Sequence, residues 1–433
     1  MHLPWIALGV FAAVYAFVSF STKHRAKTVW IGAGLLMLIG ALLRDQDPAG
    51  VLSPDVIVRQ AINWNVLGIL TGAMLIADLF VHSRVPVLLA SRIAAVLRKP
   101  HWILLGICAL SGVLSMFVDN VTTLLIVSPL ALAIARSEKT SPVPLLIGIA
   151  VSANLQGAAT MVGDPPSMIL ASSLKLTFND FFVHRGRASM FFFMQAGAIA
   201  GGAVLYLVFR RIGRERIRVA REPVRTWVPA ILILVMIAFL ASASVLDPDF
   251  RWLAGTGMTT LGILAVAWHW RREPRTTVRL LKRYDLPTIL FLAGIFVLAH
   301  ALQGFGWIAA LARQIAGLTG DSSLATFLIL VWGSVLASAF VDNIPYVAAA
   351  LPIAHSLAAM VGGDPFLYGA GLMMGACLGG NITPIGASCN VVAVGLLRRE
   401  GYQVTFWEFA RIGLPFTLAA TSAGALALWL TWR

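Results

Sequence analysis

Acidic side chains are scarce in this chain. It has 19 Asp and Glu against 33 Lys and Arg in 433 residues, and charged residues are only 12% of the total. Soluble domains carry about 25%, so the shortage of charge excludes an ordinary water-facing surface. Only three cysteines occur, Cys108, Cys377 and Cys389, all in apolar segments, and no disulfide framework is implied. No A-x-A-like cleavage site follows the first apolar run, which reads as a first helix rather than a removed signal. No metal-binding histidine pair and no nucleophile–base pair stands out, which argues against an intramembrane enzyme. No cofactor is expected.

What the chain has is apolar length. Hydrophobic residues make up 59% of it, and runs of about 20 recur throughout, the signature of a polytopic membrane protein. The net charge of +14 does not point to nucleic acid, because the basic residues sit in short loops between spans. Full spans are expected near 3–21, 28–43, 63–82, 143–172, 188–209, 227–246, 252–270, 286–302, 366–397 and 412–431. Two stretches of about 35 residues, 101–135 and 323–357, are each broken at Val-Asp-Asn and read as re-entrant hairpins. Segments 85–98 and 307–318 read as interfacial helices before each hairpin.

With ten crossings, one face collects twenty-five of the 33 basic residues, seven of them arginines in 210–225. The positive-inside rule puts that face in the cytoplasm and both termini on the outer face of the cell (inner) membrane.

One pattern occurs twice at an offset of 223 residues. Ser115-Met116-Phe117-Val118-Asp119-Asn120 returns as Ser338-Ala339-Phe340-Val341-Asp342-Asn343, and Pro129 returns as Pro352. Gly157–Gly163 returns as Gly380–Gly386, with Thr160 matching Thr383. Five crossings separate the starts of the two halves, an odd number, so the halves have opposite orientation. The expected fold is therefore an all-α polytopic membrane protein. It is an inverted repeat with two re-entrant hairpins and two broken transmembrane helices. Residues 1–209 form the first repeat (hairpin 101–135, broken helix 143–172). Residues 210–226 are a cytoplasmic arginine-rich connector. Residues 227–433 form the second repeat (hairpin 323–357, broken helix 366–397).

Four acids fall inside membrane segments: Asp78, Asp119, Asp164 and Asp342. A charge there costs roughly 2.5–3.5 kcal/mol on insertion scales and persists where it has a partner, a wet cavity or a task. Each could instead cap a half-helix. Asp119 and Asp342 stand at matching tips, and with Asp164 they are the candidates for proton or cation coupling. The broken helices expose backbone at membrane depth, tolerated where it lines a cavity or is buried in protein. Glycine lets backbone approach a ligand there. The candidate substrate-binding set is Asn120, Thr122, Gly157, Thr160, Gly163, Asn343, Gly380, Asn381, Thr383, Gly386 and Ser388. Cys377 and Cys389 flank the second break and are weak candidates for binding arsenic. Their repeat positions are Asn154 and Pro166, which favours simple packing.

The motifs Phe117–Thr123, Gly163-Asp164-Pro165-Pro166, Gly375–Asn381, Ile385–Val392 and Trp407-Glu408-Phe409 carry a resemblance to the ion transporter superfamily. They look closest to its arsenite efflux permease and melanosomal P-protein-like branch, and the likeness runs from about the third span to Gly413. The resemblance implies a scaffold, a moving transport region with two hairpins, an elevator-like motion and commonly a homodimer. Carboxylate symporters of the superfamily carry Ser-Asn-Thr at the tips, where this chain has Asp119-Asn120-Val121 and Asp342-Asn343-Ile344. A carboxylate repels an anionic substrate. The expected function is therefore a secondary active transporter, arsenite or antimonite efflux coupled to proton antiport. Sodium/proton antiport is the alternative, then anion or dicarboxylate transport. An ion channel is the reading from another class. The expected partners are a small inorganic ion or neutral hydroxide, protons or sodium, and the bilayer.

Overall fold

The computed structural model describes residues 3–20, 24–47, 50–97, 99–137, 140–210, 224–320 and 322–433. Most of the expected arginine-rich connector, 210–226, lies outside the described residues. The described chain is nearly all helix. In order the helices are α1 (Leu3–Phe20), α2 (Arg25–Leu42), the short α3 (Pro54–Val56), α4 (Trp64–His82) and α5 (Val85–Val96). Next come α6 (Pro100–Ser115), α7 (Asn120–Ser137), α8 (Val143–Gly157), α9 (Pro165–Leu174) and α10 (Met190–Phe209). The second set is α11 (Val228–Leu246), α12 (Leu253–Arg272), α13 (Pro274–Arg283), α14 (Leu286–Gly304) and α15 (Trp307–Thr319). It closes with α16 (Ser323–Ser338), α17 (Asn343–Val361), α18 (Pro365–Gly379), α19 (Ser388–Arg399) and α20 (Phe406–Trp432). One two-stranded ribbon, β1 (Val183–His184) and β2 (Arg187–Ala188), interrupts them.

The repeat in the sequence is a repeat in the structure. The first residues of α6, α7 and α9 recur 223 residues later as those of α16, α17 and α19. Packing repeats as well, with the halves exchanged. α4 packs on α12 as α14 packs on α2, α9 on α17 as α19 on α7, and α8 on α19 as α18 on α9. A relation that exchanges the halves and returns to itself is two-fold.

Local chemistry sets the ends. Proline at the first or second position starts α5, α6, α8, α9, α11, α13, α14 and α18, where the missing N–H is not needed. Asn63, Asp285 and Ser322 cap α4, α14 and α16 by accepting backbone N–H groups, and Thr405 with Glu408 forms a capping box on α20. α4 and α12 approach closely because small residues face each other. A Cβ at Gly68 would lie 2.6 Å from the carbonyl oxygen of Gly255.

Among the described residues, seven helical segments are long and apolar enough to cross a membrane: α2, α4, α10, α11, α13–α14, α17 and α20. Their outer faces are bare hydrocarbon, with Leu42 74%, Ile199 77% and Leu246 76% exposed. Water would penalise such a surface and lipid does not. The expected ten spans differ in detail. The two broken segments consist of helices of 15 and 10, and of 15 and 12, residues. α17 extends to Val361, beyond the expected hairpin limit, and at 19 residues is itself about 28 Å long.

Candidate functional site

The interruptions in the two hairpins and the two broken helices meet around one cavity of about 380 Å³. Backbone geometry puts them there. α7 begins at Asn120 with Asp119 before it, and Asp119 Oδ1 accepts the Thr122 N–H at 2.9 Å. Asp342 caps α17 in the same way, accepting from Ile344 N at 3.1 Å. Helix capping is thus one task of both tip aspartates. Asp164 precedes α9 but makes no capping bond. Its Oδ2 instead accepts from Asn343 Nδ2 at 3.3 Å, so the first broken helix touches the second hairpin tip.

Each hairpin is clamped to the broken helix of its own half by one hydroxyl. Thr160 Oγ1 donates to the Met116 carbonyl, and Thr383 Oγ1 donates to the Ala339 carbonyl. These are matching positions. Both threonines are fully buried and lie behind the cavity wall rather than in it. Gly163 and Gly386 show why the turns need glycine. A Cβ at Gly163 would sit 2.5 Å from the carbonyl oxygens of Gly157 and Ser115, and one at Gly386 2.7 Å from that of Gly380.

Buried amides tie the halves together. Asn120 Nδ2 donates to Asn154 Oδ1 at 3.1 Å. Asn154 spends both its N–H groups on the second half, donating to Asn381 Oδ1 at 2.8 Å and Asn390 Oδ1 at 3.2 Å. Asn390 in turn donates to the Gly380 and Thr383 carbonyls at 2.8 and 3.0 Å. Ser115 Oγ donates to Asn120 Oδ1 at 2.6 Å. Side chains thus satisfy the Gly380 and Thr383 carbonyls at the second break.

Of the expected site residues, Asp119, Asn120, Thr122, Gly163, Asp164, Asn343, Ser388 and Cys389 line the cavity. Gly157, Gly380, Asn381, Gly386 and Cys377 stand behind them. Cys377 Sγ is 4.0 Å from Asp164 Oδ2, and Cys389 Sγ is 3.4 Å from the Asn120 carbonyl. Asp342 lies beside the cavity, 3.8 Å from Arg25 Nη1, and accepts from Ser388 Oγ at 3.2 Å.

Sequence reasoning missed Arg25, Asn154 and Asp285 as cavity residues. Asn154 had a signal, as a polar residue inside an apolar run beside the first break. Arg25 had none, since it sits in a basic loop that topology alone explains. Its Nη2 donates to Thr288 Oγ1 at 2.7 Å, and its guanidinium lies 5.1 Å from the Phe291 ring centre. Asp78, four residues before the end of α4, also lines the cavity. Asp78, Asp119 and Asp164, three amides and three hydroxyls therefore surround a space large enough for a small solute. Arg25, Arg283 and Asp285 stand where it opens, the last two exposed.

Comparison with known proteins agrees with this architecture. Residues 15–370 match the sequence profile of the citrate transporter family. An uncharacterized transporter of Mycobacterium tuberculosis is 32% identical over 443 residues, covering 98% of each chain. The P protein of Homo sapiens is 26% identical over 508 residues, which span 97% of this chain and 59% of that protein. Among solved structures, the Neisseria gonorrhoeae MtrF antimetabolite efflux pump aligns with a TM-score of 0.60 at 15% identity, over 89% of this chain and 85% of that one. The Alcanivorax borkumensis YdaH transporter aligns at 0.55 and 16%, over 84% of each. At these identities the structural likeness concerns the fold.

Proposed function

The chain belongs to the citrate transporter family of the ion transporter superfamily and is a secondary transporter, and from that premise we propose that it exchanges protons for a small neutral hydroxide, arsenous acid or its antimony counterpart. The observation that supports this is the lining of the cavity. Asp78, Asp119 and Asp164 surround it with Asn120, Asn154 and Asn343, and the two cations of its lining, Arg25 and Arg283, stand at its opening. A polyanion entering there meets carboxylates. A neutral solute rich in hydroxyls meets hydrogen-bonding groups at every wall. The three carboxylates are the proton store, and substrate and proton compete for the same oxygens.

A sodium site built from asparagine oxygens is less favoured. Asn120 Oδ1 and Asn154 Oδ1 already accept from Ser115 and Asn120. A second reading, transport of a citrate-like anion, is favoured by Arg25 and Arg283 at the opening and by the family's description.

In the cell (inner) membrane the two-fold relation between halves lies in the membrane plane, so the repeat is inverted and its hairpins are re-entrant. The basic face, which includes Arg25 and Arg283, is cytoplasmic, and the cavity as seen opens inward. Alternating access follows an elevator-like movement of α5–α10 and α15–α20 against the remaining helices, within a homodimer. Both termini are outside.

Proteoliposomes under an imposed pH gradient test the substrate, with arsenite, sodium and citrate assayed in parallel. Proton-driven arsenite movement without citrate movement is expected. Citrate uptake with no arsenite flux overturns the assignment and installs the second reading.

A further inference from the structure

At the far ends of α4 and α12, outside the transport cavity, His82, His269 and Glu273 converge. One ligand atom of each lies within 4.8 Å of the others. They are 191 residues apart in the chain at the widest, so no spacing in the sequence announces them. His82 Nε2 is 3.3 Å from Glu273 Oε2. A tetrahedral zinc ion, with nitrogen and oxygen ligands at about 2.0–2.2 Å, holds its ligand atoms about 3.3 Å apart.

Two further details support a cation here. Thr277 Oγ1 spends its hydrogen on the Glu273 carbonyl at 2.9 Å and is 2.6 Å from His269 Nδ1. With its hydrogen on that carbonyl it accepts from Nδ1–H, the tautomer in which the Nε2 lone pair is the ligand atom of the ring. Metal-bound histidines are oriented in this manner by a partner on the other nitrogen. His269 is buried, only 4% exposed, so the ring is held rather than free to turn. A cation is also already drawn to the place. Arg225 Nη1 lies 2.9 Å from His82 Nε2. It is also 3.3 Å from Nδ1 of the same ring, so the guanidinium lies over the His82 ring face beside the cluster.

We propose that His82, His269 and Glu273 form a binding site for a borderline divalent cation of the zinc class, beside the Arg225 guanidinium that lies against His82. Two imidazoles and one carboxylate suit zinc or cobalt better than magnesium or calcium, which prefer oxygen alone. Three protein ligands leave a fourth position for water, so the ion exchanges rather than being locked in. Occupancy would pin the end of α4 to the junction of α12 and α13.

Cobalt(II) titration of the full chain, purified in detergent without a histidine tag, tests the site through visible d–d absorption. One saturable equivalent is expected, lost in His82→Ala and in Glu273→Gln. Thr277→Val, which removes no metal ligand but takes away the oxygen beside His269 Nδ1 and the bond to the Glu273 carbonyl, should weaken cobalt binding about 10–100-fold. Arg225→Gln should strengthen it by removing a positive charge that lies against a ligand ring and repels the ion. Absence of a saturable band overturns the proposal. So does a band unchanged in His82→Ala and Thr277→Val, which would mean an adventitious ion only. Because the Arg225 change predicts a gain, misfolding of a ligand variant does not rescue the idea.

Discussion

Replacing Asn154 with leucine keeps the branching and heavy-atom count of the side chain and removes every polar group from the centre of the amide network. Three partners lose a bond: Asn120 Nδ2, Asn381 Oδ1 and Asn390 Oδ1. A buried polar group left alone costs about 1–3 kcal/mol. Asn120 lines the cavity and can be rehydrated, whereas Asn381 and Asn390 are fully buried. Two orphaned acceptors give a loss of about 2–6 kcal/mol. Thermal midpoints move about 2–4 °C per kcal/mol for 150–250 residues and less for longer chains, so a fall of about 3–10 °C is expected. The assay is thermal unfolding in detergent followed by tryptophan fluorescence, with flux measured on the surviving fold. Because Asn154 bridges the first half to Asn381 and Asn390, flux should fall further than stability. A variant with the parent midpoint and undiminished flux would refute the bridging role.

Gly163→Ala should be far more damaging than Gly395→Ala, because its Cβ meets two carbonyl oxygens at 2.5 Å while that of Gly395 meets nothing within 4 Å. Gly395→Ala, inside α19, should raise stability by about 0.5–1 kcal/mol, and yields with thermal midpoints check both. The double variant Cys377→Ala, Cys389→Ala should keep most transport, and loss of arsenite flux alone would argue for thiol ligation. Asp180 sits in the loop before the β1–β2 ribbon. Partial burial pushes its carboxyl up, but bonds from His184 and Thr177 outweigh this and hold it below the usual carboxylate range. A lowered value stabilises the fold at pH above about 4, and the contribution fades as pH falls through the lowered value. The destabilisation by Asp180→Ala should therefore be full at neutral pH and shrink in acid, as denaturation midpoints across pH would reveal.

Much of the fold was legible because it is written in lengths and repeats. The 223-residue offset matched Asp119-Asn120 to Asp342-Asn343, and the helices α7 and α17 begin at those asparagines. The breaks at Gly157 and Gly380 end α8 and α18 within one residue. The site was legible as a set of segments but less so as a set of side chains. Which face a residue shows depends on packing between halves, and so Thr160 and Thr383 turned to the hairpin carbonyls instead of the cavity. Arg25 was hidden by its own neighbourhood, because a basic residue between spans reads as topology whatever it touches. His82, His269 and Glu273 were invisible because their proximity is created by the close contact of α4 with α12.

The central claim, that the cavity carboxylates couple transport to protons, rests on Asp119 and Asp164. The direct measurement is arsenite flux in proteoliposomes for Asp119→Asn and Asp164→Asn, with and without a pH gradient. Each amide keeps the shape and removes the ionisable site. The account predicts that pH-gradient-driven flux collapses in both while arsenite–arsenite exchange at equal pH persists. Flux that still follows the pH gradient as in the parent protein, in both variants, would contradict it.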